Sequence, residues 1–299
     1  MKQNVARFEG MLREHAAILA STFDRQRELF GEPWETEFDE LIGRFAGVSD
    51  DDLKKAVVGY ADFAIDGMRL QREFIKTGRY KATSHAEAGK IVYHNPEYMF
   101  GLYLPGILLS HYLWPHHYRQ SQFFDRTLRA ALAEAGETSF CDIGPGTGFY
   151  CRRLLASNSA AKGYAFDISE SSIEYTRRHA EAFGVSDRLH IVNQNVVTEP
   201  VGKEFPFLVC VEVLEHLEAP QEFLNAIGTM LAPGGKGIIA AAVTAANEDH
   251  IFLYNNGDEV AAQVEQAGFK ILDRQYDSAY EPRKGEPVPI DAAFFVTKE

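Results

Sequence analysis

From about residue 138 to residue 299 the chain alternates short apolar runs with amphipathic helical stretches, and that alternation leaves few folds open. SFCDIG, AKGYAFDIS, LHIVNQNVV, FPFLVCVEV and KGIIAAAVTA read as strands. FYCRRLLAS, ESSIEYTRRHAEAFG, PQEFLNAIGTMLAPGG and GDEVAAQVEQAGF read as the helices that separate and follow them. KILDRQYDS and PIDAAFFVTKE read as two closing strands with no helix between them, hence a hairpin at the sheet edge. The expected fold class is α/β: a doubly wound, mostly parallel seven-stranded sheet with helices on both faces.

Residues 1–135 carry a different period. MLREHAAILASTFDRQRELF places apolar residues at three- and four-residue steps. SDDDLKKAVVGYADFAIDGMRLQREFIKTG opens on Ser49, an N-cap with acidic residues behind it, and stops at Gly78. No β-branched alternation interrupts this half. The expected organisation is an all-helical domain over 1–135, acting as lid, substrate and oligomerisation unit, and a catalytic domain over 136–299. No repeat or low-complexity linker separates them, so the halves are expected to pack together.

The formal net charge of −13 repels a phosphate backbone, and no basic patch offsets it, so no nucleic-acid partner is expected. Three cysteines without paired spacing, and no apolar leader, point to a reduced cytoplasmic setting. YMFGLYLPGILLSHYLW falls short of a bilayer span of about 20 apolar residues and contains Pro105 and His111, so no membrane association is expected.

The strand SFCDIG runs into the loop GPGTG. Its glycines allow a tight turn and a close backbone approach to a ligand. Their G-x-G-x-G spacing, one residue short of the dinucleotide-binding G-x-G-x-x-G, and the missing N–H of Pro145 argue against a pyrophosphate. Asp167, ending the second strand, can accept hydrogen bonds from a ribose diol, while Ser169 serves as the cap of the next helix.

With CDIGPGTG, GYAFDIS, CVEVLEHLEAPQEFL and MLAPGGKGII in place, residues 138–299 resemble the class I S-adenosylmethionine-dependent methyltransferases, with their Rossmann-like fold. The resemblance implies that Asp142, Gly144, Gly146 and Gly148 take the methionine moiety and ribose. It assigns Asp167, beside Ile168, to the ribose hydroxyls, Asn195 or Val196 to the adenine, and Glu212 to the cosubstrate pocket. Asn195 stands where the family usually has an acid, and Phe207 where it often has an Asp.

VEVLEHLEAP, ending the fourth strand, carries Glu212, Glu215 and His216 at i, i+3 and i+4. Three readings stay open. The segment resembles ubiquinone-biosynthesis methyltransferases, where it lines the pocket. With His250 from NEDHIFLY it suits a hard or borderline divalent ion, Mg, Mn, Fe or Zn. That pattern is similar to the metal-dependent small-RNA 2′-O-methyltransferases. In the third reading His216 is a general base oriented by Glu215 or Glu212.

HNPEYMFGLYLPGILLSHYLWPHHYRQSQFF adds an aromatic wall suited to a small organic acceptor. His117 is a candidate catalytic residue there and Arg119 a carboxylate clamp. The same helices are the expected contact if the chain forms a homodimer. The expected activity is methyl transfer from S-adenosylmethionine to a small molecule in specialised metabolism: metal-assisted C-methylation of an α-keto acid, or O-methylation of a diol or catechol. The alternatives are a metal-dependent RNA 2′-O-methyltransferase and a non-catalytic S-adenosylmethionine-binding protein.

Overall fold

The computed structural model describes residues 2–281 and 285–299. Helices α1 (Gln3–His15), α2 (Ala20–Leu41) and α3 (Asp50–Thr77) come first. Ser49 caps α3 as half of a capping box with Asp52, and Gly78 ends it in the left-handed conformation. The MLREHAAILASTFDRQRELF stretch is not one rod: the chain breaks at Ala16, and α2 kinks at Gly31 (φ 60°), just before Pro33. A short α4 (His85–Ile91) and a single turn α5 (Pro96–Tyr98) lead through a wide π turn, Met99–Tyr103, into α6 (Leu104–Leu113). Helix α7 (Pro115–Phe124) continues through another π turn, Asp125–Arg129, into α8 (Ala130–Ala133).

Strands β1 (Ser139–Ile143), β2 (Lys162–Asp167), β3 (Leu189–Asn193), β4 (Phe205–Val211), β5 (Leu231–Val243), β6 (Phe269–Ser278) and β7 (Ile290–Lys298) form one sheet, ordered β3-β2-β1-β4-β5-β7-β6. The first five run parallel; β7 is antiparallel and slots between β5 and β6. Helices α9 (Phe149–Ser157), α10 (Glu170–Ala182), α11 (Pro220–Gly228) and α12 (Gly257–Gln266) connect them. Two elements differ from expectation. LHIVNQNVV is extended only to Asn193, because the Asn195 side chain caps a turn there by accepting from the backbone N–H of Val197. The helix in PQEFLNAIGTMLAPGG stops at Gly228, and Leu231 already begins β5.

One apolar core runs from Val5, Phe38 and Tyr60 in the helical half to Phe140, Val209 and Ala293 in the sheet. The two halves therefore bury a shared surface. A second core, around Leu208, Leu224 and Phe294, lies on the sheet's other face. Helices α3 and α6 approach closely because glycine faces their partners. A Cβ on Gly59 would stand 2.4 Å from the Gly101 carbonyl oxygen, and one on Gly106 2.3 Å from the Phe63 ring.

Candidate active site

The carboxyl ends of β1, β2, β4 and β5 open under helices α3 to α7, enclosing a cavity of about 740 Å³. An open parallel sheet binds its ligands at this edge.

Gly144, Gly146 and Gly148 all have positive φ (69°, 53° and 72°). A Cβ on Gly144 would also meet Val213 at 2.8 Å. Asp167 ties the loop to β2: its carboxylate accepts from the backbone N–H of Ser169 at 2.8 Å and of Gly146 at 3.4 Å. Burial pushes Asp167 up to about 6. Asp142 is likewise raised by burial, to about 7, and accepts from the Cys151 thiol. Ile168, Asn195 and Val196 line the same end. The Asn195 carbonyl oxygen is taken up by the turn it caps, so its amide nitrogen is the freer group.

At the far side of β4, Glu212 has φ 55°, a conformation rare outside glycine that directs the chain sharply out of the strand. Its carboxylate accepts from Gln120 at 2.9 Å, and Tyr150 in turn donates to Gln120. Glu215 is fully buried, and among the described residues its carboxyl finds no N–H or hydroxyl donor; it meets the Glu212 carboxyl instead. Its backbone carbonyl accepts from Ile251 and Phe252, which docks the loop carrying His250.

The two imidazoles are oriented by oxygens that can only accept. His216 Nδ1 lies 3.3 Å from the Asp249 carboxylate and 3.2 Å from its backbone carbonyl. His250 Nδ1 lies 2.7 Å from the Ala245 carbonyl. Both Nδ1 atoms must therefore carry a hydrogen, which leaves Nε2 as the atom through which each ring can bind an ion or take up a proton. Ligand atoms of Glu215, His216 and His250 converge within 4.8 Å, and His216 Nε2 faces Glu215 at 3.7 Å. Glu212 supplies none of these three ligand atoms: its carboxyl accepts from Gln120, and burial together with the adjacent Glu215 carboxyl raises it well above the ordinary carboxylate range. Burial opposes charge on His216, but Asp249 and Glu215 outweigh it and raise His216 to about 9. Burial and the neighbouring His216 lower His250.

The helical half builds the outer layer of this site. Tyr93 donates to Asp249 at 2.8 Å, and Tyr103 donates to the same oxygen. From α3, Gln71 donates to the Thr244 carbonyl and accepts from the N–H of Ala246, while Lys81 pairs with Glu248 at 2.6 Å. His117 lies apart from His216, on the wall near Asp291. Arg119 stands outside the cavity, over the Phe30 ring. Sequence reading passed over Asp249, Tyr93, Gln120 and Asp291. Asp291 did leave a signal, one acid inside the apolar strand IDAAFF.

Residues 116–274 match the methyltransferase domain family. A Synechococcus protein of uncharacterized function is 36% identical over 126 residues, covering 42% of this chain and 29% of that protein. The ubiquinone biosynthesis O-methyltransferase of Coxiella burnetii is 28% identical over 95 residues, covering 32% of this chain and 39% of the enzyme. The chain thus spans less than half of these relatives' length. Among solved structures, an O-methyltransferase family protein from Burkholderia thailandensis superposes with a TM-score of 0.55 at 13% identity, covering 87% of this chain and 76% of its own. An O-methyltransferase from neocarzinostatin biosynthesis, in complex with S-adenosylmethionine and 2-hydroxy-5-methyl naphthoic acid, does so with 0.53 at 15% identity, covering 87% and 73%. At these identities the likeness is one of fold. No described helix is long and apolar enough to cross a membrane. The chain belongs to the methyltransferase domain family and has the class I, S-adenosylmethionine-dependent methyltransferase fold.

Proposed function

We propose that the chain transfers a methyl group from S-adenosylmethionine to an oxygen of a small-molecule acceptor, with Glu215, His216 and His250 holding a divalent ion beside the acceptor. The observation that carries the metal is the convergence of these three side chains. Two imidazoles held at Nδ1 and a buried carboxylate bring their ligand atoms within 4.8 Å of one another; without an ion His216 takes up a proton against Asp249 and Glu215, and a cation there would replace it. Two imidazoles and one carboxylate suit Fe, Mn or Zn better than Mg. When bound, the ion supplies Lewis acidity toward an acceptor oxygen.

The chain's own residues do the rest. The glycine loop and Asp167 seat the cosubstrate ribose, and Asp142 takes its amino group. Glu212, anchored by Gln120, stands at the strand end beside the sulfonium. Displacement at a sulfonium carbon disperses charge, so alignment and exclusion of water are what the enclosing helices contribute. His216, raised to about 9 by Asp249 and Glu215 against the effect of burial, is the group that holds a proton beside the acceptor where no ion is bound. Helices over 1–135 act as the cover and specificity unit of a catalytic domain over 136–299.

A diol or catechol acceptor fits best, since adjacent oxygens chelate a single ion. RNA fits poorly, because no lysine or arginine stands among the described lining residues. The test is metal analysis after dialysis against manganese, with production of S-adenosylhomocysteine from catechol as the activity readout. One ion per chain is expected, lost in His250→Ala and Glu215→Ala. Equal metal content in wild type and both variants rejects the metal site.

A further inference from the structure

At the other end of the acceptor side lies a second cluster of buried polar groups. Ser110 spends its hydroxyl hydrogen on the Ile107 carbonyl at 2.8 Å. Its oxygen therefore accepts from His117 Nδ1, also at 2.8 Å. Burial keeps His117 neutral, lowering it to about 3, so Nε2 keeps a lone pair. That lone pair lies 3.9 Å from Asp291, too far for a hydrogen bond. Asp291 is 4% exposed, and among the described residues its second carboxylate oxygen has no partner. Burial, with Asp277 and Glu215 nearby, holds its carboxyl well above the ordinary range, and an approaching cation relieves that cost of the charged form.

The surroundings say which donor. His117 and Asp291 both line the cavity, as do Trp114 and Phe63. The Trp114 ring stands 4.8 Å from His117 and is stacked on Phe63 at 5.7 Å. Aromatic faces favour cations. The carboxyls of Glu212 and Glu215 share the acceptor side, and no described lining residue is a lysine or arginine. An anionic acceptor group is repelled here. His116 could join His117 and Asp291 around a metal, their ligand atoms lying within 4.8 Å of one another. However, among the described residues no hydrogen bond fixes the His116 ring, which rests on Trp114. Ligating histidines are held by a bond from the other ring nitrogen, as at His216 and His250.

We propose that the acceptor carries a protonated amine, seated between Asp291 and the His117 Nε2 lone pair and packed against Trp114 and Phe63. This rests on the small-molecule methyltransferase reading and names its substrate class. It selects a basic aromatic diol over an α-keto acid or an aromatic acid.

The test is calorimetry on the full chain saturated with S-adenosylhomocysteine. The probes are dopamine, 4-propylcatechol and 3-(3,4-dihydroxyphenyl)propionate, which share a diol and differ in the charge at the chain end. Dopamine is expected to bind at least tenfold tighter than the neutral probe, with the acid weakest. Asp291→Asn should bring dopamine to the level of 4-propylcatechol while S-adenosylhomocysteine affinity stays unchanged, which also shows that the variant folds. If that variant does not fold, Trp114→Leu should narrow the dopamine preference. The proposal is overturned if the acid binds as well as dopamine, if no probe binds, or if the preference survives both substitutions. It is also overturned if a second metal ion per chain disappears in Asp291→Asn. Failure of the wild type to bind S-adenosylhomocysteine would instead remove the methyltransferase reading itself.

Discussion

Asp249→Asn removes one charge from the centre of the site with little change of shape. In the native chain one Asp249 oxygen accepts from Tyr93 and Tyr103 and faces His216 Nδ1 at 3.3 Å. An asparagine oxygen can keep those three donors, but its NH2 then fills the position of the other oxygen, which is buried and has no partner among the described residues. The His216 ring loses the anion that raised its basicity and fixed its tautomer. Removing such a partner of a ligating histidine costs about 10–100-fold in metal affinity, or about 1.4–2.7 kcal/mol. Manganese titration by calorimetry, with S-adenosylhomocysteine bound, reads this directly. Binding of S-adenosylhomocysteine itself should stay within about twofold, because Asp249 does not line the cavity. Unchanged metal affinity in Asp249→Asn would refute the role assigned to the Asp249–His216 pair.

Three further outcomes are expected. Burial raises Asp167 from an ordinary 3.8 to about 6, and the ribose needs the carboxylate, so a proton competes with the cosubstrate below about pH 6. S-adenosylmethionine affinity should then fall about tenfold per pH unit toward pH 4, and a flat calorimetric profile between pH 7 and 4.5 would contradict it. Gly59→Ala places a Cβ 2.4 Å from the Gly101 carbonyl, forcing α3 away from the π turn. Thermal or denaturant unfolding should show a loss of about 1–3 kcal/mol. Gln71→Ala cuts both bonds from α3 to the loop after β5. It should lower manganese affinity more than S-adenosylhomocysteine affinity, and equal losses would argue for general destabilisation.

The sheet, its closing hairpin, the glycine loop and Asp167 were legible because each rests on local pattern: strand period, turn chemistry and a cap at Ser169. The approach of Glu215, His216 and His250 was partly legible. Two of them are neighbours, and His250 follows a strand that ends at the same edge. Glu212 shares their spacing, but its left-handed backbone turns it toward Gln120, and no sequence rule forecasts that. Gln71, Tyr93 and Asp249 were hidden for another reason. Their roles depend on how helices over 1–135 settle on the sheet, through a core whose members lie far apart in sequence. Arg119 looked like a clamp in sequence, yet its position on α7 points it to Phe30 outside the cavity.

We assign this cavity to S-adenosylmethionine. Titrating the full chain with S-adenosylmethionine, beside Asp167→Ala, tests it most directly. One site per chain is predicted, with affinity lowered at least tenfold in Asp167→Ala while the thermal unfolding of both free proteins stays similar. Absence of binding by the wild type, or equal affinity of the two, would contradict the account.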